Sequence, residues 1–156
     1  MELAVTPYAR NSKLAAYQSV SVHGGVANAD PHMMVQMLLD AAAERMAIAR
    51  GCIERKEKGR QASLLHSSVM IIGELRGSLN IGEGGPLAQN LSDLYEYMIR
   101  QLVMANARSD ASLVLEVSRL LDEIRSAWIA IGPEVRKAAA APVSAPAAMR
   151  AAAGPA

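Results

Sequence analysis

Apolar residues recur at helical spacing along most of the chain. Leu65, Ser68, Val69, Ile72, Leu75 and Leu79 fall on one face at 3.6-residue intervals. A second stripe carries Leu87, Leu91, Leu94, Tyr95, Met98, Leu102 and Ala105, and a third carries Leu113, Val117, Leu120, Leu121, Ile124, Trp128 and Ile131. Alanine, leucine, methionine, arginine and glutamate dominate these stretches, so strand signal is slight. Pro7, Pro31 and Pro86 lie near segment starts, and Pro133, Pro142, Pro146 and Pro155 lie at the end. None interrupts residues 32–85 or 87–132, where helices must run without a break.

The punctuation sets boundaries. Asp30 is a good N-cap and Pro31 suits the first helical position, so the first helix is predicted over 30–58, ended by Gly59. A second is predicted over 60–79. The cluster Asn80-Ile81-Gly82-Glu83-Gly84-Gly85 reads as a loop. Pro86 opens a third helix to about residue 107, Ser109 or Asp110 caps a fourth, and Gly132-Pro133 stops it. Helices of about 20 residues span about 30 Å. Short connections force neighbours to run antiparallel, which predicts an all-α, antiparallel up-down four-helix bundle over 30–132. Residues 1–29 read as an arm, helical around 12–18 and extended at Val20-Ser21-Val22. Residues 133–156 are Ala/Pro-rich, have no apolar face to dock, and are expected to be a disordered tail.

Composition narrows the class. The 156 residues are 51% hydrophobic and 20% charged, a globular profile with one domain's worth of core. Sixteen basic and fifteen acidic side chains leave a formal charge of +1, against a nucleic-acid binder with a basic face. Cys52 is the single cysteine, which rules out an internal disulfide and a multi-cysteine metal site. No run of eighteen apolar residues and no signal-peptide layout is present, so the expectation is a cytoplasmic protein without membrane insertion.

Catalytic and metal chemistry finds no support. A di-iron bundle needs Glu-x-x-His pairs, but Val20, Ala29 and Ser63 stand three residues before His23, His32 and His66. The histidines read as surface or capping residues, and no metal or cofactor is expected. Gly82-Glu83-Gly84-Gly85 lacks the preceding strand and the Gly-Lys-Ser/Thr ending of a phosphate loop. His66 lies some 120° from its stripe and would be accessible, as in a histidine phosphotransfer bundle. Such modules resemble one another in a lysine three residues on and a glycine next, where this chain has Val69 and Met70. Cys52 reads as a small buried apolar residue. Arg50, Arg55, Lys56, Lys58 and Arg60, interleaved with Glu54 and Glu57, read as a solvated helix end, with an acidic-partner patch as the other reading. The chain is read as a binding protein and not an enzyme.

The anomaly is surplus apolar surface. Tyr97, Ile99, Val103 and Met104 fall outside the third helix's stripe, Met70 and Leu115 point away from theirs, and Ile129 lies about 120° off. Arg45, conversely, falls inside the first helix's stripe. Two readings stay open. The arm and packing irregularity cover these positions, or they form a groove for a partner's amphipathic helix. Nine methionines suit the second, since the unbranched thioether repacks against different partners. An arm bearing Leu14, Tyr17, Val20 and Val22 would cover such a groove and be displaced by a client. A structural homodimer burying the same surface is a further alternative.

Specific strings sharpen this. Ala16-Tyr17-Gln18-Ser19-Val20-Ser21-Val22, Ala29-Asp30-Pro31-His32, Met37-Leu38-Leu39-Asp40 and Gly84-Gly85-Pro86-Leu87-Ala88-Gln89-Asn90-Leu91-Ser92-Asp93-Leu94-Tyr95-Glu96-Tyr97-Met98 resemble the flagellar export chaperone family FliS. Met104-Ala105-Asn106-Ala107-Arg108 and Leu121-Asp122-Glu123-Ile124-Arg125-Ser126-Ala127-Trp128 extend the match over about residues 10–132. The resemblance implies a cytoplasmic helical bundle that binds the C-terminal helical region of flagellin along apolar grooves. It also implies that the chaperone blocks premature polymerisation and delivers its client to the type III export gate protein FlhA. The family's arm, matched at Leu14 and Tyr17, takes part in gate docking and covers the groove without client. The chain departs from the family pattern in Asp30-Pro31 for Ser-Pro, Asp40-Ala41 for Asp-Gly, Gly85-Pro86 for Gly-Glu, and Arg45 at a normally apolar position.

Overall fold

A computed structural model describes residues 30–141, and these form four helices: α1 (Pro31–Glu54), α2 (Lys58–Gly77), α3 (Ile81–Arg108) and α4 (Ala111–Ala140). α1 packs on α2 and α4, and α3 packs on the same two, least extensively on α4. That closed ring of neighbours is the up-down bundle the periodicity predicts. The arm and the tail beyond residue 141 lie outside the described residues.

α1, α3 and α4 each begin where a side chain serves one of the first N–H groups; α2, which follows Glu57, has no side-chain cap. Asp30 Oδ1 accepts from the His32 N–H at 3.0 Å, with Pro31 in the first turn. Asn80 Oδ1 accepts from the Glu83 N–H at 3.1 Å, and Asp110 Oδ1 from the Ser112 N–H at 2.9 Å. The ends at one pole follow a shared pattern. Glu57 N–H reaches Cys52 O at 2.9 Å and Lys56 N–H reaches Ile53 O at 3.1 Å, with Lys56 at φ 59°. Asp110 N–H reaches Ala105 O at 3.0 Å across Ser109, at φ 49°. These are Schellman closures with lysine and serine in the left-handed position that glycine usually fills.

Three boundary expectations are corrected. α1 ends at Glu54 because Lys56 turns the chain, and Gly59, the expected terminator, lies inside α2. Residues 81–84 are no loop: capped by Asn80, they form a helical turn, broken from the rest of α3 at Gly85, whose φ 54° and ψ −137° suit only glycine. α4 continues through Pro133 to Ala140. Proline there removes one hydrogen bond to the Ile129 carbonyl, but both residues are exposed, so that carbonyl stays open to water. Alanine-rich sequence beyond sustains the helix.

The core takes residues from all four helices. Leu39 and Met46, Leu65 and Ile72, Met98 and Leu102, and Val114, Val117 and Leu121 are all fully buried. Each such side chain contributes roughly 1.5–3 kcal/mol relative to exposure. The stripes hold in their centres and fail at one end: Leu87 is 69% exposed while Ala88 is buried, and Ile131 is exposed too. Leu87 keeps helical register with Leu91 and Leu94, but it stands in the first turn after the Gly85 break, at the end of the bundle. Cys52 is buried, as expected.

Candidate partner-binding surface

At the pole where α1 and α3 begin and α2 ends, the bundle leaves a cleft of about 420 Å³. Val35 and Leu39 of α1, Leu75 and Leu79 of α2, Ala88, Leu91 and Tyr95 of α3, and Ile124 and Trp128 of α4 line it, with Ser78, Asn80 and Glu83 at the polar edge. Burial pushes the Tyr95 phenol above its ordinary pKa, so it stays a neutral wall of the cleft.

His32 backs Trp128 in this wall. The two rings stack with centroids 4.6 Å apart and planes 5° from parallel. The imidazole Nε2 lies 2.7 Å from the Trp128 carbonyl, and the indole Nε1–H donates to the His32 carbonyl at 2.9 Å. A carbonyl only accepts, so Nε2 is the donor. The other ring nitrogen, Nδ1, is buried with no hydrogen-bond partner among the described residues. The expectation that His32 is a surface or capping residue is therefore corrected: it is 3% exposed. Trp128 could have signalled this, since a half-buried indole needs an acceptor for its N–H.

The four α3 residues expected to form one groove fall on two faces. Tyr97 donates a hydrogen bond to Glu116 of α4, which raises its phenol pKa, and Met104 lies seven residues on, along that same side. Glu96 instead pairs with Arg76 of α2 at 3.0 Å, and Arg76 Nε also donates to Ser92 Oγ at 3.0 Å. Ile99 and Val103, three and seven residues after Glu96, share the α2 side. Ile99 is half-buried against the core, whereas Val103 is 58% exposed. The exposed apolar residues that the periodicity missed flank the cleft's pole: Leu87, Met34 and Met37, and Ile131 and Val135 on the projecting end of α4. Leu87 precedes Leu91 and Leu94 by four and seven residues, continuing the α4 side of α3. Met70 is exposed, as expected.

Leu14, Tyr17, Val20 and Val22 lie outside the described residues. His66 is exposed on α2. Among the described residues no three His, Cys, Asp or Glu side chains group as a metal site, and no helix is long and apolar enough to cross a membrane. Arg45 reaches back to the Ala41 carbonyl at 3.1 Å, which resolves its place on the first helix's inner half. Asn106 joins helices, accepting from Gln61.

The sequence that builds this bundle and its apolar cleft is similar to those of known proteins. The family described as flagellar protein FliS matches residues 13–135. The flagellar secretion chaperone FliSB of Pseudomonas aeruginosa is 46% identical over 112 residues, covering 72% of this chain and 89% of that protein. The flagellar secretion chaperone FliS of Salmonella typhimurium is 40% identical over 124 residues, 79% of this chain and 92% of that one. FliS of Vibrio cholerae is 35% identical over 130 residues, 83% and 96%. Matches of this extent span the arm's end, the bundle and the cleft together, and they place the chain in the FliS family of flagellar secretion chaperones.

Proposed function

We propose that this chain acts in the cytoplasm, binds the C-terminal helical region of flagellin, keeps it from premature polymerisation and delivers it to the export gate protein FlhA. The carrying observation is apolar surface left open beside a cleft: Leu87 stands largely exposed at the α3 edge of the Trp128 pole. A client segment that folds on binding loses conformational entropy, and wide aliphatic contact is what offsets that cost. Leu87, Leu91 and the cleft form one candidate track, and Val103 with Ile99 a second on the α2 side. Two tracks suit a client that wraps the bundle. Leu14, Tyr17, Val20 and Val22 of the arm are proposed to cover this surface in the absence of client, with Leu14 and Tyr17 contacting the gate.

Isothermal titration with a peptide spanning the flagellin C-terminal helical region tests the reading. Binding with a large negative heat-capacity change is expected. Leu87→Asp and Val103→Asp change exposed side chains, so both variants should keep their helical content and lose affinity. Absence of binding by the folded protein, with residues 1–29 also removed, overturns the proposal in favour of a homodimer.

A further inference from the structure

The opposite pole, which carries the α1–α2 and α3–α4 connections, has a different chemistry. Arg50, Arg55, Lys56, Lys58, Arg60 and Arg108 gather there against Glu54, Glu57 and Asp110. Two of those carboxylates are engaged. Glu57 pairs with Arg55 at 2.7 Å and lies 3.9 Å from Arg60, and Asp110 caps α4. Lys56 and Lys58 have no ion-pair partner among the described residues. Arg108 lies close enough to Asp110 to help the Ser112 hydrogen bonds hold that carboxyl below its ordinary pKa. All three cations line one open cleft of about 400 Å³. Ile53 and Ala107 give it apolar lining, and Gln61 and Ser109 border it.

The three cations leave fixed points of the backbone. Lys56 holds the left-handed turn after α1, Lys58 opens α2 and Arg108 closes α3. Gln61 Nε2 shares its two N–H groups among Asn106 O at 3.2 Å, Asn106 Oδ1 at 3.1 Å and Ser109 Oγ at 3.2 Å, which ties α2 to α3 beside the cleft. The cations are therefore preorganised around a partly apolar hollow rather than spread over a flexible loop.

We propose that this cleft docks an acidic peptide segment of a partner protein, its carboxylates on Lys56, Lys58 and Arg108 and an aliphatic side chain against Ile53 and Ala107. A nucleic acid would need a long basic stripe, whereas this footprint is three cations wide on a chain of net charge +1. The cleft lies at the far pole from Trp128, so a partner here and a client there can be held together. This goes beyond the proposed client site and does not depend on it.

The test is an amide-shift titration of the full chain with an acetylated, amidated heptapeptide, Glu-Leu-Glu-Glu-Leu-Glu-Glu. Its glutamine counterpart and a short DNA duplex serve as comparisons. Saturable shifts confined to residues around Lys56, Lys58, Ala107, Arg108 and Ser109 are expected. Affinity should weaken severalfold between about 20 and about 200 mM salt, as exposed charge contacts do. The double variant Lys58→Glu/Arg108→Glu, with helical content intact, should bind the peptide at least about tenfold more weakly while keeping flagellin-peptide affinity, which separates this site from the client site. Shifts scattered over the surface, equal binding of the glutamine peptide, binding of DNA as tight as the acidic peptide, or an unaffected folded variant would each overturn the proposal.

Discussion

His32 and Trp128 clasp each other across α1 and α4: the imidazole donates to the tryptophan carbonyl at 2.7 Å, the indole donates to the histidine carbonyl at 2.9 Å, and the rings stack between these bonds. One backbone carbonyl in each of the two helices is thus served by the partner helix's side chain. The clasp fixes where α1 starts relative to α4 and so shapes the cleft.

His32→Ala should cost about 2–3 kcal/mol, combining a lost buried hydrogen bond with a lost ring stack. Trp128 is the sole tryptophan, so its emission reports the site directly. Denaturant unfolding should show a lower midpoint, and the native emission should move to longer wavelength. Unchanged emission and midpoint would mean that other contacts hold α1 to α4.

Two glycines in helices should respond oppositely to alanine. Gly73 is exposed on α2, with nothing within 4 Å of an added Cβ, so Gly73→Ala should stabilise by about 0.5–1 kcal/mol through helix propensity. At Gly132 an added Cβ would stand 3.1 Å from His32 Cε1 and 3.1 Å from Arg136 Nη2. Arginine can swing aside, but the clasped imidazole cannot. Gly132→Ala should therefore lose that gain and destabilise, read as a lower thermal midpoint than the parent.

The chain's periodicity made the bundle legible because each helix buries one face and shows the other to water. What sequence could not reveal lies where local rules were overridden. Lys56 and Ser109 occupy left-handed positions that pattern reading reserves for glycine, which misplaced the α1–α2 turn onto Gly59. The glycine-rich pattern predicts a loop over 80–85, but Gly85 is a single break between two helical pieces, and Leu87, in register with its stripe, is exposed in the first turn after it. Exposure of Val103 was readable from its angle off the core face. The division of Tyr97 and Met104 from Ile99 and Val103 was not, since it depends on which neighbour sits on each side, and that follows from the pairs Tyr97–Glu116 and Arg76–Glu96.

Gln61 is a polar side chain in a buried position, 2% exposed, and its amide is consumed by Asn106 and Ser109. Gln61→Leu fills a similar volume but leaves those acceptors unserved. A loss of about 1–3 kcal/mol is expected, since an orphaned buried polar group costs more than the bond contributed. Urea unfolding measures it, and Gln61→Leu/Asn106→Leu should recover part of the loss if the penalty comes from the stranded partner.

Acid should loosen the basic pole through Glu57 and Asp110. Arg55, donating a hydrogen bond, holds the Glu57 carboxyl below its ordinary pKa, and the Ser112 hydroxyl followed by its N–H does the same for Asp110. A carboxyl with a depressed folded-state pKa contributes stability that is present above its unfolded value, about 4, and lost as pH falls through the folded one. The thermal midpoint should accordingly hold from pH 7 to about 5 and decline below about 4. Asp110→Asn isolates one contribution, because asparagine also caps a helix but does not titrate. The variant should match the parent more closely at pH 3 than at pH 7, where it lacks the charge. A gap between the two proteins that stays constant across this range would show that the Asp110 carboxylate adds nothing through its ionisation.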